Sequence, residues 1–161
     1  MANVSPLPYP NEENAFAAQH VQLLLKSLRL FTGRDLVDAK ASPEDTARRI
    51  FHAPFVVLSH NADPDPVLSY GNLAGLDLFE MTWEELVVTP SRYTAEAVER
   101  QERTQLLDRV TSNGLIDDYT GIRISKQGRR FRIENATVWN LRDDKGTHKG
   151  QAVVFFLWTF L

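Results

Sequence analysis

The sequence predicts an α+β fold in which helices pack on one face of a five-stranded antiparallel sheet and an N-terminal helix packs on the other. The first third of the chain carries apolar residues at helical spacing, the middle carries helix-capping motifs, and the last third alternates between strand-like runs and turns. With 161 residues, 43% of them hydrophobic, the chain has the size of one domain with a full core.

The N-terminal helix is predicted from apolar residues that recur every three or four positions and stop before Gly33. Residues 1–14 contain most of the early prolines and are expected to be a flexible lead, so residues 15–161 form the predicted domain. The apolar stripe of this helix covers either the sheet or a second copy of the chain. The residues predicted to meet a partner there are Val21, Leu24 and Leu28.

The middle of the chain predicts a strand pair and several helices. Residues 54–59 and 67–70 are rich in β-formers and flank the turn Ala62-Asp63-Pro64-Asp65-Pro66. Polar N-caps predict helices that start after Ser42, Asn72, Thr82 and Thr94.

The last third predicts three long strands. They cover 118–125, 130–141 and 152–160, separated by Lys126-Gln127-Gly128 and by a second turn that ends at Gly146. Because the last run is apolar on both faces, we expect it in the middle of the sheet.

A more specific pattern lies in five stretches: FVVLSHNADPDPVLSYGN, FEMTWEEL, PSRYTAE, DDYTGIRISKQGRRFRIENATVWNL and GQAVVFFLW. Together they resemble the MEKHLA domain, a PAS-related family. This domain occurs in stand-alone proteins and at the C-terminus of plant homeodomain leucine-zipper transcription factors. The resemblance runs from about Ala15 to the end of the chain. It implies a PAS-like fold and a sensory or interaction role, and it implies no reaction.

Composition excludes several functions. The net charge of -3 lacks the basic excess of nucleic-acid binders, and no cysteine is present for disulfides, zinc ligation or a cysteine–flavin adduct. The acidic, proline-rich start is not a signal peptide, and no run is long enough for a membrane helix, so we expect a cytoplasmic protein. The four scattered histidines lack metal-site spacing. A non-covalent flavin or another small molecule is favoured over haem held by His60.

The resemblance implies a cavity between the sheet and the central helix. Trp139 shares strand parity with Phe131 and Ile133 and is taken as a cavity wall, although such an aromatic also suits a filled core. Gln151 is similar in placement to a glutamine of flavin-binding PAS relatives. The predicted ligand contacts are Val57, Ser59, Val98, Ile122, Ile124, Trp139 and Gln151.

The predicted function is a sensory or interaction module that binds a small ligand and signals to a protein partner. Arg130 and Arg132 share strand parity and are a second predicted partner surface, or simply a solvated hairpin. The alternatives are a ligand-free adaptor with a filled core and a small cone-fold enzyme with Glu134 or Asp118 as its acid. The Ser59-His60 pair is interpreted as polar residues at a strand end, so the chain is not expected to be an enzyme.

Overall fold

A computed structural model describes residues 6–38 and 40–161. The α-helices are α1 (Ala18–Thr32), α2 (Pro43–Phe51), α3 (Leu73–Phe79), α4 (Trp83–Leu86) and α5 (Ala97–Asn113). Short 3-10 helices cover Glu12–Ala17 and Ser91–Thr94. The strands are β1 (Val56–His60), β2 (Leu68–Gly71), β3 (Leu115–Ile124), β4 (Arg130–Arg142), β5 (His148–Phe155) and β6 (Leu157–Phe160).

The strands form one antiparallel sheet in the order β2-β1-β5-β4-β3, with β6 paired to β4 beyond the end of β5. The predicted antiparallel α+β fold is therefore confirmed. The expected last strand is split at Phe156 into β5 and β6. The apolar β5 lies between β1 and β4, because its two apolar faces are each covered by helices.

Two neighbouring residues of β4 show that helices cover opposite faces of the sheet. Trp139 Nε1 donates to Leu24 O in α1 at 3.0 Å, whereas Asn140 Nδ2 donates to Val110 O in α5 at 3.0 Å. Since successive strand residues point to opposite faces, α1 lies on one face and α5 on the other. The predicted placement of the N-terminal helix is confirmed.

Most of the predicted helix starts are confirmed by their capping bonds. Ser42 Oγ accepts from Asp45 N, Asn72 Oδ1 accepts from Gly75 N, and Thr82 forms a full capping box. The exception is Thr94, whose hydroxyl donates to Ser91 O at 2.7 Å inside the 3-10 helix. The central helix consequently begins at Ala97, two residues later than expected.

Two bulges invert the side-chain alternation in the middle of β3 and β4. Asp118 and Asn135 have positive φ angles of 53° and 52°, and each adds one residue to its strand where the register shifts. As a result Ile133 faces α5 while Trp139 faces α1. The expectation that these two residues share a face is wrong because a bulge lies between them.

The described part of the N-terminal lead packs on the domain. Leu7 O accepts from Trp83 Nε1 at 2.7 Å, and the ring of Tyr9 lies edge-on to Phe51. Residues 6–14 therefore depart from the flexible lead that the sequence predicted, while the prediction for 1–5 lies outside the described residues. The boundary at residue 15 stays a prediction. Over the ranges that the structure covers, no helix combines the length and apolarity of a membrane span.

The apolar stripe of α1 is buried in the chain's own core. Val21, Leu24 and Leu28 are all buried, against the sheet face that carries Trp139. The residues predicted to meet a partner are therefore used within the domain, because they fill the space between α1 and β4. Leu30 on the same helix is 68% exposed.

We expect Leu24→Ala to lower the free energy of unfolding by about 2–5 kcal/mol, because it leaves a cavity under α1. Leu30→Ala, the matched control on the exposed side, should change it by less than about 0.5 kcal/mol. Urea denaturation at several protein concentrations measures both. A stability loss in Leu24→Ala that depends on protein concentration would instead place this stripe in a subunit interface.

Candidate functional site

A cavity of about 80 Å³ lies between α5 and the sheet. Its apolar wall comes from both layers and includes Leu58, Leu68, Phe79, Leu106, Val138 and Phe155. Its polar lining includes His60, Ser91, Arg103, Tyr119, Arg123 and Gln151. Apolar walls with a few convergent polar groups are typical of small-molecule sites.

A row of three polar residues crosses the sheet beside this cavity. The antiparallel register places His60 of β1 opposite Gln151 of β5, and Gln151 opposite Asn140 of β4. His60 Nε2 lies 3.0 Å from Gln151 Oε1, and Gln151 Nε2 donates to Asn140 Oδ1 at 3.1 Å. All three side chains are buried, so the bonds replace the water that they lose on folding.

The row continues at both ends. Gln151 Nε2 also donates to Leu107 O and to Thr111 Oγ1, which ties the row to the last turns of α5. At the other end, Ser91 Oγ lies 3.0 Å from His60 Nδ1 and accepts from Arg103 Nη2 at 2.6 Å. One hydrogen-bonded chain therefore joins β1, the 3-10 helix, α5 and β5.

The bonding pattern sets the tautomer of His60. Gln151 Oε1 is an acceptor, so His60 Nε2 carries the hydrogen, and Nδ1 accepts from the Ser91 hydroxyl. Burial lowers the pKa of His60 to about 4, helped by the nearby charge of Arg103 and opposed by the bond to Gln151. The imidazole is therefore neutral at pH 7, as this bonding requires.

Two of the predicted ligand contacts border the cavity. Gln151 turns its amide toward it, as described above. Ser59 also borders it, but its hydroxyl lies 2.9 Å from His20 Nε2 of α1, on the opposite face. Val57 lies two residues before Ser59 on that same face, and Trp139 faces α1 as well.

The other three predicted contacts do not border the cavity. Ile122 and Ile124 flank Arg123, and it is Arg123 that borders the cavity, because the bulge at Asp118 inverts the alternation of β3. Val98 is 81% exposed. It precedes Arg103 by five residues, which is about 140° around a helix of 3.6 residues per turn, so it points away from the sheet.

Sequence reasoning missed Arg103 and Ser91 and set aside His60 as a ligand contact. A signal was present for two of them. Arg103 lies one turn before Leu106 and two before Val110, which places it on the buried side of α5. His60 ends a strand that begins with three apolar residues and is buried at every position.

The other candidate residues take part in surface contacts. Arg130 pairs with Glu96 at 2.6 Å and Arg132 with Glu134 at 3.3 Å. Their predicted role in partner binding stays a prediction. Of the two acids weighed for an enzyme, Asp118 is exposed at its bulge, and Glu134 is the partner of Arg132.

The family model for the MEKHLA domain matches residues 18–160 of the chain. This chain belongs to the MEKHLA domain family. Its relatives include the homeobox-leucine zipper protein ATHB-14 of Arabidopsis thaliana, 26% identical over 99% of this chain, and HOX29 of Oryza sativa subsp. indica, 29% identical over 90%. The MEKHLA chain spans only 19% and 17% of the lengths of these two relatives.

Solved structures confirm the fold. The MEKHLA domain superposes on a PAS domain from Colwellia psychrerythraea with a TM-score of 0.61 and 11% identity, covering 73% of this chain and 95% of that one. An RNA-binding Light-Oxygen-Voltage receptor gives a TM-score of 0.61 at 16% identity, covering 74% and 34%. The MEKHLA domain thus has a PAS fold.

The size of the cavity bears on flavin binding. Sites for drug-sized ligands measure roughly 300–1,000 Å³. The cavity here measures about 80 Å³, so a flavin does not fit it unless α5 moves away from the sheet.

Two histidines with lowered pKa values, His20 and His60, should make stability depend on pH. Burial lowers the pKa values of His20 and His60 to about 4, from 6.5. The unfolded chain therefore binds protons that the folded chain excludes, and stability is lost as the pH falls from 6.5 to 4. At about 1.4 kcal/mol per pKa unit, each histidine accounts for up to about 3 kcal/mol.

Urea denaturation at pH 6.5 and pH 4 measures this loss. His20→Gln and His60→Gln should each make the decrease in stability smaller, and His52→Gln, at an exposed position, should leave it as in the wild type. If all three variants lost as much stability as the wild type, His20 and His60 would not be neutral in the folded protein.

Proposed function

We propose that this MEKHLA domain is a sensory module that binds a small molecule in the cavity between α5 and the sheet. The cavity carries the proposal, since a ligand-free adaptor predicts a filled core in its place. The hydrogen-bonded chain that runs from Arg103 through His60 and Gln151 to α5 supports it as well. Through this chain, a ligand in the cavity can change the hydrogen bonds that hold α5.

The signal is a change in the position or order of α5. Gln151 holds α5 at Leu107 O and Thr111 Oγ1, and Asn140 holds it at Val110 O. A ligand that competes for one partner of this chain favours a different arrangement of the helix. Ligands shift such an equilibrium only by binding one arrangement more tightly than the other.

Native mass spectrometry of the protein purified from its own organism tests ligand binding. We expect a defined extra mass on the wild type and on Leu106→Met, a volume-conserving control, and none on Leu106→Trp, which fills the cavity. The ligand-free form should show faster amide exchange in α5. The result that favours the ligand-free adaptor is a wild type with the mass of the polypeptide alone. Its unfolding temperature should then also stay the same when a small-molecule extract of the organism is added.

We place the contact with a protein partner on β6 rather than on α1. On the side away from β4, β6 has no neighbouring strand among the described residues. Four apolar residues in β6 or next to it are exposed: Phe156, Leu157, Phe160 and Leu161. A free strand edge with exposed apolar side chains is a pairing surface. Two copies of β6 pairing across a twofold axis bury these residues and form a homodimer.

Light scattering coupled to size exclusion tests this dimer across a range of concentrations. We expect the wild type to dimerise as it is concentrated and Leu157→Lys to stay monomeric, because a charge on an edge strand blocks pairing. Leu30→Lys, on the exposed side of α1, should behave as the wild type does. If the wild type stays monomeric when it is concentrated, β6 does not form a homodimer, and its partner would have to be a different protein.

The cytoplasmic location and the lack of nucleic-acid binding expected from the sequence stay predictions.

A further inference from the structure

Two buried arginines border the same cavity. Arg103 reaches it from α5 and Arg123 from β3, and their exposed fractions are 8% and 7%. Arginine is almost never this buried unless its charge is paired. An unpaired buried charge is a large cost to folding. The partners of these two guanidinium groups therefore indicate which kind of ligand the cavity can bind.

The recorded partners are neutral. Arg103 Nη2 donates to Ser91 Oγ at 2.6 Å. Arg123 Nη1 donates to its neighbour Ile122 O at 2.7 Å, and Nη2 donates to Tyr119 OH at 3.0 Å. A guanidinium group has five N–H donors, so Arg103 has further donors that an occupant of the cavity can use.

Neither group has a carboxylate oxygen within 4.0 Å among residues 6–38 and 40–161, where the ion pairs involve other cations. Glu102 accepts from Tyr119 OH at 2.8 Å, but it is itself exposed. Burial is the main cause that lowers the pKa of Arg103 to about 10; the charge of Arg123 also lowers it, and Tyr119 and Asp65 oppose the decrease. Arg103 is therefore cationic at pH 7, and the two guanidinium groups repel each other.

The rest of the cavity is apolar and small. Its apolar lining includes Leu58, Phe79 and Leu106. At about 80 Å³ the cavity has roughly half the volume of one that takes a benzene ring, which leaves room for about three to five non-hydrogen atoms. A ligand that satisfies both the arginines and this apolar lining is therefore short, with one anionic end and one apolar end.

We propose that the cavity binds a short-chain monocarboxylate, with its carboxylate between Arg103 and Arg123 and its alkyl end against Leu58, Phe79 and Leu106. This inference rests on the proposed function and names its ligand class. The planar guanidinium matches a carboxylate with two parallel hydrogen bonds. Phosphate fits less well, because its further charged oxygens face the apolar wall without hydrogen-bond partners.

Ligand binding at Arg103 also changes the hydrogen-bonded chain that holds α5. Arg103 donates to Ser91, and Ser91 in turn donates to His60. A carboxylate that draws Arg103 toward itself weakens its bond to Ser91. The charge of the ligand is thereby linked to the residues that hold α5.

Isothermal titration calorimetry with acetate, propionate, propionamide and phosphate tests the proposal. The buffer anion should be a sulfonate too large for the cavity. We expect propionate to bind the wild type, while propionamide, of the same shape without the charge, does not. Loss of one partner from a buried charge pair costs 2 kcal/mol or more, so Arg103→Gln and Arg123→Gln should bind propionate at least about 30-fold more weakly. Arg109→Gln, which removes an exposed arginine from the same helix, should bind as the wild type does.

A stability measurement separates a binding role from a structural one. In the buffer without small anions, Arg103→Met should unfold at the wild-type temperature or above it, because an apolar side chain replaces an unpaired buried charge. Propionate should raise the unfolding temperature of the wild type and leave that of Arg103→Met unchanged. An Arg103→Met protein that unfolds at a lower temperature and still responds to propionate would overturn the assignment.

The outcomes distinguish the ligand class from the proposed function. Equal binding of propionamide and propionate would overturn the anion assignment and leave the cavity as a ligand site. Binding of phosphate in preference to propionate would overturn the carboxylate. If none of the four compounds binds but native mass spectrometry shows an extra mass, the inference fails and the proposed function stands. If there is no extra mass either, both fail. Should the glutamine variants not fold, the comparison of propionate with propionamide on the wild type still decides.

Discussion

The alternation of side chains across β3 and β4 depends on two bulges, at Asp118 and Asn135. Each adds one residue, and together they restore the register of the two strands while exchanging which residues face each layer. Because of them Arg123 borders the cavity under α5, and Trp139 is free to donate to Leu24 O under α1. A regular ladder would exchange these roles and would place Ile122 and Ile124 toward the cavity.

The two faces of the sheet consequently have different chemistry. The face under α1 is closed by Trp139 and by the apolar stripe of the helix, and its polar contacts at β1 include the bond between His20 and Ser59. The face under α5 has a row of buried polar side chains next to a cavity. Such a network is stable only when every member is satisfied, so a change at one member is felt by the others.

The proposed sensory function depends on the cavity and on its hydrogen bonds to a helix. A sensory domain couples an occupied cavity to the position of a helix or strand. In this MEKHLA domain the residues proposed for that coupling are hydrogen bonded to α5, whereas α1 is held by apolar packing and the bond to Trp139. Under the proposed function we expect α5 to respond to ligand before α1 does.

The sequence by itself determined the elements, the antiparallel sheet and the position of α1, because helical spacing, N-caps and apolar runs are local properties of the chain. It also indicated Gln151 as a cavity residue. Only the tertiary structure decided which residues line the cavity, since one bulge reverses every later side chain and bulges at Asp118 and Asn135 leave no mark in the pattern of apolar residues. The proximity of Arg103 and Arg123 likewise depends on how α5 packs on β3, and this contact forms only when the domain folds.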